Sequence, residues 1–364
     1  LPAQMARHGK FAVPRESAQN SGLANFNYAY HFDAVLFARY LSRYAKQHGV
    51  SAITATVTSV KQDPADGSIQ SIALDNGQEI QGEFFIDCSG FSGLLIEKTL
   101  NTGYEDWSEW LPCDSALACQ TEKVSDALPY TRSIAMESGW RWQIPLQNRL
   151  GNGYVYSSRF IAQEQAETEL LKSLDSTPVT APRFTTGILK KTWNKNVFAI
   201  GLASGFLEPL ESTSIYMIQL GLASLYEHFP FAEPNQQLEN KVNRLLREHT
   251  ERLRDFIILH YCLNQRQGSP FWDYCRAISL PDSLQSSLDD YVATGAIRLG
   301  EIDFFKINSW LAVLAGLDKV SRRHHPKVAH SALQDIVTEF SNIKTAIGAT
   351  LTRLPSHEEF LRKL

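Results

Sequence analysis

Residues 197–225 read VFAIGLASGFLEPLESTSIYMIQLGLASL, and the order of residue types in that stretch sets the class of fold. VFAIG, Val197 to Gly201, is a short apolar run closed by glycine, the pattern of a buried strand. A loop of small residues leads to Glu208-Pro209-Leu210-Glu211. Ser212, Thr213 and Ser214 then open a helix, starting near Ile215, whose apolar face is Ile215, Ile218, Leu222 and Leu225. With the helix, strand, hairpin and apolar strand that precede it from His31 to Gly90, this suggests an α/β domain with antiparallel additions, in which ligands gather outside the carboxyl ends of strands. The three hydroxyls can be read as ordinary helix caps, and Glu211 as a carboxylate that complements the dipole. The same helix start also offers unpaired N–H groups to an anion, with Glu211 as a positioned carboxylate beside it.

Upstream, HFDAVLFARYLSRYAKQHGV begins at His31. Asp33 is a good N-cap, Phe32 and Phe37 occupy the positions of a hydrophobic staple, and Gly49 closes the helix. Leu36, Phe37, Tyr40, Leu41 and Tyr44 recur at helical spacing. Next come ITATVTSV, then SIALDNGQEI with an Asn76-Gly77 turn, then the apolar EFFIDCSG. Asp87, Cys88, Ser89 and Gly90 stand where that last strand ends, either a second ligand-facing turn or a plain small-residue turn.

Between Ser133 and Phe160 the spacing becomes two-residue alternation. In GWRWQIPLQ, Trp140, Trp142 and Ile144 face one way, Arg141 and Gln143 the other. Tyr154 and Tyr156 of GYVYSSRF share a face, and Asn148 to Gly153 is expected to turn the hairpin. From Asn235 the chain reads as helical, with Leu238, Val242, Leu245, Leu246, Leu253, Phe256 and Ile257 as its core stripe.

With 43% hydrophobic residues over 364 positions the chain can build a large core. A net charge of −4 without a basic stretch argues against nucleic acid, and no run of eighteen apolar residues would cross a bilayer. Five cysteines with no C-x-x-C pair imply free thiols and a cytoplasmic setting. No metal pattern, Walker loop or G-x-S-x-G elbow is present. His31, His260, His324 and His325 read as structural, although His260, after the apolar DFIIL, could line a pocket. The chain opens on Leu1 in mid-fold and is expected to be a fragment of something longer.

Several segments together resemble the flavin-dependent tryptophan halogenases: YHFDAVLFARYL, FIDCSGFSGLLI, GWRWQIP, GLASGFLEPLESTSI, DFIILHYCLNQRQGSPFWDYC and FFKINSWLAVLAG. The resemblance runs from about Phe11 to His325. W-x-W-x-I-P (Trp140, Trp142, Ile144, Pro145) is its most specific motif and separates these enzymes from ordinary flavin monooxygenases. The fold it implies is the FAD-binding fold of the flavin monooxygenase type, α/β, lacking its first βαβ segment, with an added β-sheet region and a helical C-terminal part. Residues 1–110 would be the remainder of the FAD-binding domain and 111–190 the β-sheet substrate region. Residues 191–225 would contact FAD and halide, and 226–364 would form a helical cover over the substrate.

The activity implied is FADH2-dependent halogenation of tryptophan, indole or a derivative. A flavin reductase supplies FADH2, and a flavin hydroperoxide converts chloride or bromide to hypohalous acid. A lysine and a glutamate then guide the halogen onto the indole. By this resemblance Glu211 is that glutamate, with Ser212 beside it, and the backbone N–H groups of Thr213 and Ser214 hold the halide. Family members often have glycine where this chain has Ser214, but backbone donation does not require it. Val57, Asp87, Gly90, Gly201, Leu202 and Ile215 fall at FAD-binding positions, Val57 toward the adenine. Phe304, Phe305 and Trp310 are aromatic surface suited to an indole, or core. The family's glycine-rich GxGxxG loop and its lysine have no match here, since Lys10, Lys46 and Lys61 lie in the wrong context. The chain by itself is therefore expected to bind FAD poorly and not to halogenate. A flavin monooxygenase and a non-catalytic homologue are the competing readings, and a homodimer is left open.

Overall fold

The computed structural model describes residues 1–14, 26–122, 127–172, 174, 180–229, 235–324 and 331–364. His325 lies outside the described residues. The strands, in chain order, are β1 (Val57–Gln62), β2 (Ile69–Leu74), β3 (Glu79–Gln81), β4 (Phe85–Asp87), β5 (Tyr104–Asp106), β6 (Ser115–Glu122), β7 (Arg132–Met136), β8 (Gly139–Pro145), β9 (Arg149–Tyr156), β10 (Gly187–Leu189), β11 (Trp193–Asn194), β12 (Val197–Ala199) and β13 (Gly205–Phe206). The helices are α1 (Pro2–Arg7), α2 (Ala34–Gln47), α3 (Gln163–Leu171), α4 (Ser214–Glu227), α5 (Gln236–Cys262), α6 (Pro270–Ala277), α7 (Asp282–Thr294), α8 (Ile307–Gly316), α9 (Leu333–Arg353) and α10 (His357–Leu361).

Four sheets result, ordered β1-β2-β3, β13-β10-β5, β11-β12-β4 and β6-β9-β8-β7. β12 runs parallel to β4, with Val197 opposite Phe85 and Ala199 opposite Asp87. The turns that leave these two strands therefore emerge side by side, and they lie against each other. The chain is thus a mixed α/β fold whose C-terminal part is helical.

Local signals account for much of this. Asp33 caps α2 by accepting from the Val35 and Leu36 amides, and the Phe32 and Phe37 rings meet edge to face at 5.1 Å. Gly77 turns the β2–β3 hairpin at φ +83°. The ITATVTSV strand is shorter than expected, because regular pairing starts only at Val57. The helical stripe of α5 is also as expected, with Val242, Leu246, Leu253, Phe256 and Ile257 buried. Its C-terminal half, from Leu253, joins Trp107, Trp140, Trp310 and residues of α6 and α8 in the largest core, while Val242 and Leu246 pack with Trp193, Phe198 and Leu225.

One expectation changes. The β8–β9 hairpin does not turn over Asn148–Gly153: β9 already begins at Arg149, and the loop is Leu146 to Asn148. Gly151 and Gly153 sit inside the strand. A Cβ on Gly153 would lie 1.9 Å from the ring of Trp142. That glycine marks a ring packed on backbone rather than a bend. The helix α2 forms as its spacing predicts, and it buries no residue. Its apolar stripe faces outward, with Leu36 58% and Tyr40 54% exposed.

Among the described residues no helix is long and apolar enough to cross a membrane. Nor is there a group of three or more His, Cys, Asp or Glu placed for a metal. No disulfide forms among the five cysteines.

Candidate active site

The site is built where the β4 and β12 turns meet the start of α4. Gly90 and Gly201 open the two turns at φ +68° and +69°. Both backbones are in the left-handed region, and each lets the chain leave its strand sharply without a Cβ. A cavity of about 200 Å³ lies beyond them, lined by Gly201, Leu202, Thr213, Ser214, Met217 and Ile218 with part of α5. The structure thus brings together residues that the sequence had spread over two segments of the 197–225 stretch. Leu202, on the cavity lining, and Ile215, in the first turn of α4, remain 41% and 47% exposed. Val57 stands apart at the head of β1, in a different sheet.

Asp87 serves the turn itself. One carboxylate oxygen accepts from the Ser89 amide and the other from the amides of Leu95 and Ile96. With its oxygens committed in this way, Asp87 shapes the loop that presents Gly90.

The helix start does not behave as an ordinary cap. Thr213 occupies the N-cap position of α4, yet no side chain caps the first amides. Its hydroxyl is buried without a hydrogen-bond partner among the described residues. Ser212 just before it adopts φ +55°, in the left-handed region, where a non-glycine residue is strained. A left-handed residue followed by a right-handed one turns successive amides toward one point, the form of an anion-binding concavity. The free amides of a 14-residue helix add the positive end of its dipole. Of the two readings of Ser212 to Ser214, side-chain caps and exposed backbone donors, the uncapped helix start favours the second.

Glu211 ends the short helical turn Pro209–Glu211. Its Oε1 lies 2.8 Å from Nε2 of His260 on α5. The other ring nitrogen, Nδ1, is 2.9 Å from the Phe256 carbonyl, which can only accept. Nδ1 therefore carries a hydrogen, and the contact with Glu211 requires one more proton between carboxylate and imidazole. His260 is thus held at both ring nitrogens, by the Phe256 carbonyl and by Glu211. Its one sequence signal was a polar residue ending an apolar helical run.

Three residues back, Glu208 is fully buried. Its Oε2 accepts from the indole Nε1 of Trp140 at 3.0 Å and from the Tyr261 hydroxyl. Burial pushes its pKa up to about 7, against the opposing pull of hydrogen bonds from Tyr261, Trp140 and Cys113. Trp140 is itself buried, with Trp142 beside it at 6.2 Å between ring centroids. Ile144 is half-buried, and the Pro145 carbonyl accepts from Nδ1 of His31.

The aromatic residues of the helical region divide. Trp310 and Phe305 are core, Phe305 stacked on Phe256 at 3.9 Å and Trp310 edge-on to the same ring. Phe304 remains exposed and lies 4.1 Å from Tyr216, in the first turn of α4. Tyr216 was not singled out in the sequence because it sat within an apolar helical pattern.

Taken together, an uncapped helix start follows a carboxylate–imidazole contact, near two glycine turns at the ends of parallel strands. The tryptophan halogenase family model matches residues 1–333. The tryptophan 7-halogenase RebH of Lentzea aerocolonigenes is 37% identical over 93% of this chain and 68% of its own length. The flavin-dependent halogenase Xcc4156 of Xanthomonas campestris superposes with a TM-score of 0.94 at 41% identity, covering 99% of this chain and 72% of that one. BrvH, a flavin-dependent halogenase of Brevundimonas sp. BAL3, does so with a TM-score of 0.94 at 40% identity, over 99% and 74%. The chain belongs to the tryptophan halogenase family.

Proposed function

We propose that this protein halogenates an indole-bearing substrate, with Glu211 as the proton acceptor and the start of α4 as the halide site. The observation that carries the reading is the Glu211–His260 pair set beside uncapped amides at Thr213 and Ser214. The residues present fit a flavin: Gly90 and Gly201 leave backbone that a flat ring system can approach, and Leu202 and Ile215 offer apolar contact beside them. They also fit a halide, which matches a polar yet uncharged donor set at a helix N-terminus and a buried Thr213 hydroxyl in need of a partner.

Reduced flavin, delivered by a separate reductase, would supply the electrons with which oxygen turns chloride or bromide into hypohalous acid. The residues of this chain would take the following part. The Thr213 and Ser214 amides fix the halide. Tyr216 and Phe304 give the indole an aromatic wall near Glu211. As the carbon–halogen bond forms and the halogen–oxygen bond breaks, the ring carbon loses its proton to Glu211. His260 Nε2, 2.8 Å from Oε1 of Glu211, holds the carboxylate in place. Trp140 and Trp142 wall off the approach from the sheet side.

The test is mass spectrometry of the protein expressed from its complete reading frame, supplied with a flavin reductase, NADH, FAD, halide and a panel of indoles. A chlorine or bromine isotope pattern in the product is expected. Addition of oxygen alone would favour a monooxygenase, and no product across the panel would favour a non-catalytic homologue.

A further inference from the structure

The turn that carries Glu211 is gripped by α5 at two points, and only one of them belongs to the chemistry above. Glu211 meets His260, and Glu208 meets Tyr261. The paired residues are neighbours on each element: adjacent on α5, three apart on the turn. Glu208 is also the residue that begins the turn. Its Oε2 takes two hydrogen bonds, one from Tyr261 on α5 and one from Trp140 on β8. Its Oε1 has no N–H or O–H partner among the described residues.

Burying a carboxyl group completely is costly unless it is well bonded, and apolar side chains of similar size often serve stability better. Here the buried acid joins the three elements that carry the signature tryptophan, the catalytic turn and the histidine partner of Glu211. Leu207 and Leu210 give the turn apolar packing on the same core, but Glu208 is the polar tie from the turn to both α5 and β8.

We propose that Glu208 is a positioning residue for halogenation: it locks the Trp140 indole and the Tyr261 hydroxyl to the head of the turn, and so holds the Glu211 carboxylate against His260. The inference rests on the proposed function for its catalytic meaning, but the lock itself does not. The titratable groups facing Glu208 are Tyr261 and the thiols of Cys113 and Cys275, all kept neutral by burial, which raises their pKa values. Glu208 is therefore the group in this cluster that titrates near neutrality, and Trp140 is bonded directly to it.

The experiment follows the indole N–H resonance of Trp140 in protein labelled with 15N at tryptophan, assigned by its loss in Trp140→Phe. Trp107 bonds to the part-exposed Glu105 and gives an internal control. The Trp140 resonance is expected downfield, titrating with a midpoint near pH 7, and to lose that titration in Glu208→Gln while Trp107 is unmoved. In Glu208→Leu, shown folded by circular dichroism, kcat should fall about 10- to 100-fold with KM little changed. Glu208→Gln, which keeps an oxygen for both donors, should recover much of that loss. A Trp140 resonance indifferent to both substitutions, or a folded Glu208→Leu protein with wild-type kcat, would overturn the proposal. If the wild-type protein halogenates nothing, the proposed function fails, while the resonance still decides whether the lock exists.

Discussion

Glu208 and Glu211 stand three residues apart on one turn and have opposite surroundings. Glu208 is sealed in the main core with an indole and a phenol as partners; Glu211 is part-exposed and faces an imidazole. Glu208 points into the core, whereas Glu211 meets His260 of α5. One residue type thus supplies a fixed anchor and a reactive group from a single short segment. The contrast teaches that the sequence label "glutamate in a PLEST turn" carries no chemistry until its partners on α5 and β8 are known.

If Glu211 is the reactive member, Glu211→Gln should cost about 10²- to 10⁴-fold in turnover, the usual range for a lost general base, without changing the melting temperature. Halogenation yield by mass spectrometry checks it, and near-normal turnover would collapse the distinction between the two residues.

The next effect is on stability. The folded pKa of Glu208 is raised from 4.5 to about 7. Its protonated form is thus favoured by the fold, so its contribution is complete below pH 4.5 and is lost as pH rises through 7. The stability of the wild-type protein relative to Glu208→Gln should decline over that window by about 3 kcal/mol. Urea unfolding of both proteins at pH 4.5 and 7.5 measures this, and a constant difference would mean that the carboxyl is not buried as described.

A third change asks whether the two signature tryptophans are held alike. Trp140 is fixed by a hydrogen bond, Trp142 by packing on the bare backbone of Gly153. Gly153→Ala should destabilise the protein by about 1–3 kcal/mol through overpacking, and thermal unfolding would show it. The smallest effect is expected for His260→Gln, which keeps Glu211 but removes its imidazole partner. Turnover should fall about tenfold, equivalent to about 1.4 kcal/mol, and a loss as large as that of Glu211→Gln would make His260 the principal base.

Reading the sequence alone went furthest where the physics is local. The strand, loop and helix of 197–225, the Asp33 cap and the Asn76-Gly77 hairpin all rest on contacts within a few residues, and all appear in the structure. It fell short where partners are distant. Glu208 draws its burial from Trp140, 68 positions away, and from Tyr261, 53 positions away. Gly153 was read as a turn because a ring lying on it cannot be seen in one dimension. The helical stripes of α2 and α5 have the same periodicity, yet one is buried and the other open. Periodicity specifies a helix; only the neighbours specify what it meets.

The parallel pairing of β4 with β12 joins Phe85 to Val197, across more than a hundred positions of chain. Closing so long a loop is entropically expensive and slow, while the hairpins β1–β2–β3 and β7–β8–β9 need only local contacts. The two glycine turns can come together only after that distant pairing is made. Assembly of the polypeptide should therefore finish at its reaction centre, and a chain arrested before β12 would hold its hairpins without having a centre at all.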